Sequence, residues 1–332
     1  MLKHLPAAES LAGLSAVVTG GSRGLGLLIA GELAGRGCAV TIAARDTDEL
    51  ERAASLLRMR GGGVRVETAV CDVSERGDVE ALFAATARAQ GGVDIVVANA
   101  GIIPVAPVDA IGADEFDETL RTIFGGALYT SLAALPHLRR SRAGGRLALI
   151  GSVGGLLAVP HLLPYSCAKS AVTALAEGLH AEEAGRGVSV TAVHPGLMRT
   201  GSHGQAQFGG DRSREFAWFS ALAGTPLVSM DAERAASRIV AAVARRRPRV
   251  VLTPAAKAAG VLHGIAPVTV TRLSGLAARV LPDSADAEGG LVAGRDITER
   301  PKGFAGRLRA WGSALNDRAA ARYNQHSPTA RP

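Results

Sequence analysis

Tyr165 and Lys169 stand four residues apart at the start of a segment with helical period, so their side chains share one helix face. A free phenol titrates at about 10 and exchanges protons poorly at neutral pH; a cation beside it favours the phenolate and brings that exchange within reach. Ser152 lies thirteen residues before Tyr165, just after a short apolar run. Together the trio can serve an oxygen that alternates between carbonyl and alcohol, with Tyr165 moving the proton and Ser152 hydrogen-bonding the oxygen. Each residue also has a plainer use: Ser152 as a cap, Tyr165 as a core ring with its hydroxyl at the rim, Lys169 as a surface charge. Their joint placement after the ends of strands favours the chemistry.

A second constellation lies near the start of the chain, at Thr19-Gly20-Gly21-Ser22-Arg23-Gly24-Leu25-Gly26. Glycines at 20, 24 and 26 let a strand turn sharply into a helix and bring backbone close to a diphosphate, which the helix N-terminus attracts. At the end of the next strand, where an acid would hold the ribose of NAD, the chain has Ala44-Arg45. Arg45 and Arg23 suit a 2′-phosphate, so NADP(H) is expected ahead of NAD(H). The alternative is that Arg45 only caps the loop and Asp46 takes the ribose. Asp72, followed by Val73, can accept from an adenine amino group or cap the next helix. Asn99-Ala100-Gly101 puts an amide and a glycine beside the expected cofactor, and also reads as a strand-end turn.

The elements that must position these groups are legible in outline. Short β-branched runs at Ser15 to Thr19, Cys38 to Ala44, Val64 to Val70, Val93 to Ala98, Gly145 to Ile150, Val188 to His194 and Arg249 to Thr253 alternate with helical stretches. Their nearly unbroken apolar character calls for cover on both faces, as in a doubly wound, mostly parallel seven-stranded α/β sheet of Rossmann type. The stretch from about 200 to 226 is too long for an ordinary connection and reads as a lid. Residues 1–255 are expected to form the catalytic domain, and 256–332 a helical extension with a basic tail. Its apolar segments, Ala255 to Ile265 and Val268 to Leu281, are divided by Pro267. Phe304, Leu308, Trp311 and Leu315 make one stripe of a last helix.

The chain resembles the short-chain dehydrogenase/reductase family over roughly residues 13 to 255. The resemblance rests on Thr19-Gly20-x-x-x-Gly24-x-Gly26, Asp72, Asn99-Ala100-Gly101, Ser152, Tyr165-x-x-x-Lys169 and Pro195-Gly196 with Thr200. It implies hydride transfer to or from a nicotinamide cofactor, with Ser152, Tyr165 and Lys169 as the catalytic residues. Gly20, Ser22, Arg23, Gly24, Leu25, Gly26, Arg45, Asp72, Val73, Asn99, Ala100, Gly101, Tyr165, Lys169, Pro195, Gly196 and Thr200 are the implied cofactor contacts. It further implies a homodimer or homotetramer packed through helices near 115 to 140 and 163 to 184. One position departs: Ile123, three before Gly126, stands where the family usually has an asparagine that holds a water of a proton relay. Thr122 points about 100° away around a regular helix and replaces it only in part. A scaffold or regulatory protein that binds cofactor without turnover is therefore the second reading.

Composition bounds the rest. The chain has 332 residues, 47% hydrophobic and 20% charged, enough for a full core. Three cysteines without a C-x-x-C pair exclude a disulfide-built scaffold and a four-cysteine zinc site; no metal is expected. No apolar run reaches eighteen residues, and Lys3, His4, Pro6 and Glu9 interrupt the start, so a cytoplasmic protein without a cleaved leader is expected. Residues 245–332 hold 15 Lys/Arg against 6 Asp/Glu. That excess reads first as a solvated face, and no stacking aromatics or finger spacing point to nucleic acid. Gly154, Leu156, Leu157, Val159, Leu162, Leu163, Phe208, Phe216, Trp218 and Phe219 suggest an apolar carbonyl or secondary alcohol, with Arg199, Arg212 and Arg214 near in sequence but not convergent; the alternative is that these apolar residues pack the lid against the core. Peripheral membrane contact through the extension is a further expectation, set against packing over the cleft or on a second subunit.

Overall fold

Side chains alternate across each strand, and both sides are apolar. In β1 (Ser15–Thr19), Ala16 and Val18 join one core cluster and Val17 the other. β2 (Ala39–Ala44) divides the same way, Val40 and Ile42 against Ala43. β3 is Val66–Val70. β4 (Ile95–Ala98) sets Ile95 and Val97 against Val96 and Ala98, and β5 (Gly145–Ile150) sets Ala148 and Ile150 against Leu147 and Leu149. With β6 (Val188–His194) and β7 (Arg249–Val251) they form a seven-stranded parallel sheet in the order β7–β6–β5–β4–β1–β2–β3. The order reverses between β1 and β4, which opens a crevice beyond the carboxyl ends of the strands.

The computed structural model describes residues 9–60, 63–225, 229–282, 290–297, 318–320 and 322–325. One face of the sheet is covered by α1 (Gly24–Gly35), α2 (Thr47–Arg60) and α8 (Ala232–Ala244). The other carries α3 (Arg76–Gln90), α5 (Gly126–Leu138) and α6 (Leu163–Glu183). α4 (Ala113–Leu120) runs into α5 through one wide π-helical turn, Arg121–Gly125. Pro164 sits in the first turn of α6, where a missing N–H costs nothing, and Tyr165 follows it.

Several strands are shorter than the sequence pattern extends. Cys38 still donates its N–H to Leu33 at the end of α1, so β2 begins one residue later. The last strand stops at Val251 because Thr253 is committed as a cap, its side chain accepting from Ala256 N–H at the start of α9 (Pro254–Ile265). The lid stretch is partly regular: α7 (Arg212–Gly224) packs Phe216 and Phe219 on Phe208, Val105 and Leu162. Residues 292–293 pair antiparallel with 207–208, which pair in turn with 104–105, stitching the extension to the lid. After α9, α10 (Pro267–Ala278) completes a hairpin that leaves Val261, Ile265, Val268 and Val280 exposed. Among the described residues no helix is long and apolar enough to cross a membrane. The stripe Phe304, Leu308, Trp311 and Leu315 lies outside the described residues.

Candidate active site

A cleft of about 860 Å³ opens at the sheet's switch point. Ser152, Tyr165 and Lys169 line it together with the glycine turn, Arg45, Asp72, Val73, Asn99, Ala100, Gly101, Pro195, Gly196 and Thr200. That volume is at the upper end of the usual range for ligand pockets, roughly 300–1,000 Å³.

β5 ends at Ile150 and delivers Ser152, whose Oγ accepts from Gly154 N–H at 3.0 Å. Tyr165 comes from the first turn of α6; burial pushes its phenol above the usual value, and a hydrogen bond with Ser152 pulls the other way. Lys169, one turn on, places Nζ 5.7 Å from the centre of the Tyr165 ring and donates to Ile150 O at 2.7 Å. Burial brings its pKa down to about 8. The site therefore holds a protonated phenol beside an ammonium near its titration point.

Gly26 explains why the glycine turn has the residues it has. A Cβ there would fall 2.0 Å from Gly20 O and 2.6 Å from Asn99 Nδ2. Gly20 itself has φ +63°, in the left-handed region that favours glycine. Asn99 is the lock: its Nδ2 donates to Thr19 O and Gly20 O at 3.2 and 3.0 Å, and its N–H donates to Thr19 Oγ1. These bonds give Asn99 a turn-fixing role besides its place on the cleft wall. The backbone cradle and the N-terminus of α1 fit the diphosphate of a dinucleotide.

At the end of the cleft lined by Arg23 and Arg45 the two arginines are already engaged. Arg23 Nη1 lies 2.7 Å from Glu49 Oε1, and Ser22 Oγ donates to Glu49 Oε2 at 2.6 Å. Arg45 Nη1 lies 3.7 Å from Asp72 Oδ2. Burial opposes the Asp72 charge, yet Ser74 N–H and hydroxyl, with Arg45 and Arg121, hold its carboxyl below the usual range.

Thr122, not Ile123, lines the cleft. The π-helical turn changes the angular step that a regular helix would impose, and Ile123 is buried against Gly101, across from Lys169. Nothing on the Ile123 side chain can bond a water. Ile123→Asn is expected to raise the rate of proton-limited turnover and shift its pH dependence, with Ile123→Val as the size control; an unchanged profile for Ile123→Asn refutes the relay argument.

Val159, Leu162, Trp218 and Phe219 line the cleft, joined by Ile102, Ile103, Met198 and Leu222. Phe208 and Phe216 do not; they are packed edge to face inside the lid's own core. Leu163 is exposed, and Leu156 packs toward Gly260 of α9. Arg199 bonds Ser229, away from the cleft, and Arg212 bonds Gly290 O. Three features were not foreseen. Buried Glu215 takes His161 Nδ1 and Trp218 Nε1 at 2.6 Å each, fastening α7 to the loop before α6. Glu49 reaches Ser22 and Arg23. Arg295 and Gln325, both from the extension, reach the cleft. Among the described residues no group of three or more His, Cys, Asp or Glu can hold a metal.

Residues 15–207 match the family model described as short chain dehydrogenase. A chloroplastic tropinone reductase homolog of Arabidopsis thaliana is 36% identical over 192 residues, 58% of this chain and 59% of that protein. Gluconate 5-dehydrogenase of Gluconobacter oxydans is 33% identical over 191 residues, 58% of this chain and 73% of that protein. The chain thus spans less than two thirds of the Arabidopsis relative's length. A solved putative short-chain alcohol dehydrogenase from Sinorhizobium meliloti superposes with TM-score 0.67 at 25% identity, covering 76% of this chain and 99% of that one.

Proposed function

Because the chain belongs to the short-chain dehydrogenase family, whose members are oxidoreductases using NAD or NADP, we propose that it is an NADP(H)-dependent enzyme interconverting an apolar carbonyl compound and its secondary alcohol. The observation that carries this reading is the convergence of Ser152, Tyr165 and Lys169 on one wall of the dinucleotide-sized cleft. A bound nicotinamide supplies or takes up the hydride. In the reducing direction Tyr165 gives its proton to the substrate oxygen, which Ser152 holds by a hydrogen bond. Lys169, anchored on Ile150 O, supplies the positive charge that makes the departing proton's phenolate tolerable. Val159, Leu162, Trp218 and Phe219 exclude water and favour an apolar substrate.

The test has two layers. Titration with NADPH and NADH reports cofactor binding, and a panel of apolar ketones and secondary alcohols followed at the nicotinamide absorbance reports turnover. Binding with no turnover on any compound, and Tyr165→Phe equally inert, moves the assignment to a scaffold or regulatory role.

The NADP preference rests on Arg23 and Arg45, and Glu49 works against it. A 2′-phosphate has to share Ser22 and Arg23 with that carboxylate. Glu49→Gln removes the repulsion, so NADPH affinity is expected to rise about tenfold with NADH affinity little changed. Equal changes for both cofactors would show that no phosphate sits there.

Residues 1–255 are the catalytic domain with its lid at 200–226, and 256–332 an extension that pairs with the lid through residues 292–293 and brings Arg295 and Gln325 to the cleft. Dimers or tetramers are expected through α5 and α6, where Leu132 is exposed. The α9–α10 hairpin supports contact with an anionic bilayer. Val261 is 62%, Ile265 79% and Val280 84% exposed. Residues 254–282 carry Lys257, Arg272 and Arg279 with no Asp or Glu. The protein is expected to co-sediment with anionic vesicles and to release partly at high salt. No binding at either salt concentration, or a concentration-dependent dimer that buries the hairpin instead, removes the membrane reading.

A further inference from the structure

The extension returns to the glycine-turn end of the cleft at residues 318–320 and 322–325. Ala320 packs on Gly201 so closely that a Cβ there would lie 2.3 Å from Ala320 Cα. Tyr323 is buried among Leu27, Leu28, Leu56 and Leu57, and its carbonyl accepts the Gly24 N–H at 3.0 Å. Asn324 Nδ2 donates to Ser22 O and Glu49 O at 2.9 and 3.0 Å, and Arg52 Nε donates to Asn324 Oδ1. These contacts tie the strap to both sides of the glycine turn.

Gln325 is the part that faces the cleft. It is 7% exposed and lines the cleft wall, with Nε2 standing 2.6 Å from where a Gly24 Cβ would be. Its backbone carbonyl accepts from Gln205 Nε2, while Gln205 Oε1 accepts from Arg295 Nη1. Yet Oε1 of Gln325 is buried with no hydrogen-bond partner. A buried carboxamide with an unmet oxygen is costly unless something not of the protein completes it. The strap has also taken one N-terminal donor of α1, the Gly24 N–H, and set an amide nitrogen in the same place.

We propose that Gln325 is a cofactor-binding residue, its carboxamide closing over the diphosphate of the dinucleotide and completing the site from the carboxyl-terminal end of the described chain. The chemistry matches on both atoms. Diphosphate oxygens accept from Nε2, and ribose hydroxyls donate to Oε1. The diphosphate is common to NADH and NADPH, so Gln325 adds affinity without choosing between them. This proposal rests on the dinucleotide reading above.

The test is direct binding, by calorimetry, of NADH, NADPH and adenosine diphosphate to the full chain and to Gln325→Ala and Gln325→Glu. Gln325→Ala is expected to weaken all three by about tenfold, the loss of one hydrogen bond to a charged group. Gln325→Glu is expected to weaken them further by setting a carboxylate against the diphosphate. Trypsin gives an independent readout at exposed Arg318 and Arg322: saturating NADPH should slow cleavage there in the unsubstituted chain and much less in Gln325→Ala. Unchanged affinities in both variants overturn the proposal. So do tighter binding by the variants and faster cleavage with cofactor, which mark the strap as a plug expelled on binding. If the unsubstituted chain binds none of the nucleotides, the oxidoreductase reading itself falls. Binding by that chain with indifferent variants removes only the strap's role.

Discussion

Tyr165→Phe is expected to lower turnover by about a thousandfold while leaving dinucleotide affinity and thermal stability close to those of the unsubstituted protein. The substitution removes one hydroxyl and keeps the ring that packs on the α6 side of the core. Burial holds the phenol protonated, so in carbonyl reduction the proton is present and the question is only who donates it. Lys169 gives the expectation a pH signature. Its pKa is brought down to about 8, so the ammonium is intact below that value and is lost as pH rises through it. Reduction by the unsubstituted enzyme should therefore fall on the alkaline side of about pH 8. Steady-state rates across pH, beside a cofactor titration of each variant, check this. If Tyr165→Phe keeps a tenth of the activity, another group is the donor and the assignment of Tyr165 is wrong.

What the sequence made legible divides by distance along the chain. Tyr165 and Lys169 are one helical turn apart, and the glycines of the first turn lie within seven residues, so local geometry alone put each set on one surface. The strands were readable because short, unbroken runs of β-branched apolar residues are a local signal too. Glu49 lies 27 positions after Ser22, and Asn324 lies 302 after it, and neither spacing carries a periodic signal. Glu49 is, with Asp48, one of two acids in the first turn of α2, where an acid is favourable anyway, so its type does not single it out. Phe208 and Phe216 take the lid-packing alternative for a related reason: aromatic content marks a lid but not which rings face inward. Thr122 lines the cleft while Ile123 beside it is buried, a division that a helical angle alone does not decide where the chain makes a π-helical turn. The apolar residues of α9 and α10 were visible, but only packing decides whether Ile265 and Val268 are covered, and they are not.

Gly26→Ala is the change expected to cost most at the cofactor end. The added methyl would fall 2.0 Å from Gly20 O and 2.6 Å from Asn99 Nδ2, far inside van der Waals contact. Neither neighbour is a flexible side-chain end that can swing aside. Gly20 O is backbone at φ +63°, already backed by Ala100, and the Asn99 amide is held by two hydrogen bonds to Thr19 and Gly20. The cheapest relief is for α1 to move away from β1, which opens the contact between Gly20 and the helix N-terminus on which diphosphate binding depends. Overpacking of this kind destabilises by about 1–3 kcal/mol or more. Dinucleotide affinity should drop by about a hundredfold or more, since the helix N-terminus and the cradle both lose their position. Gly31→Ala, in the same helix, is the control: its Cβ meets only the tip of Leu57 at 3.4 Å, so affinity should hold. Calorimetric titration and a melting curve on both variants separate the two effects. Gly26→Ala binding NADPH as tightly as Gly31→Ala does would mean that the glycine turn is merely a tight connection and that the cleft takes its ligand elsewhere.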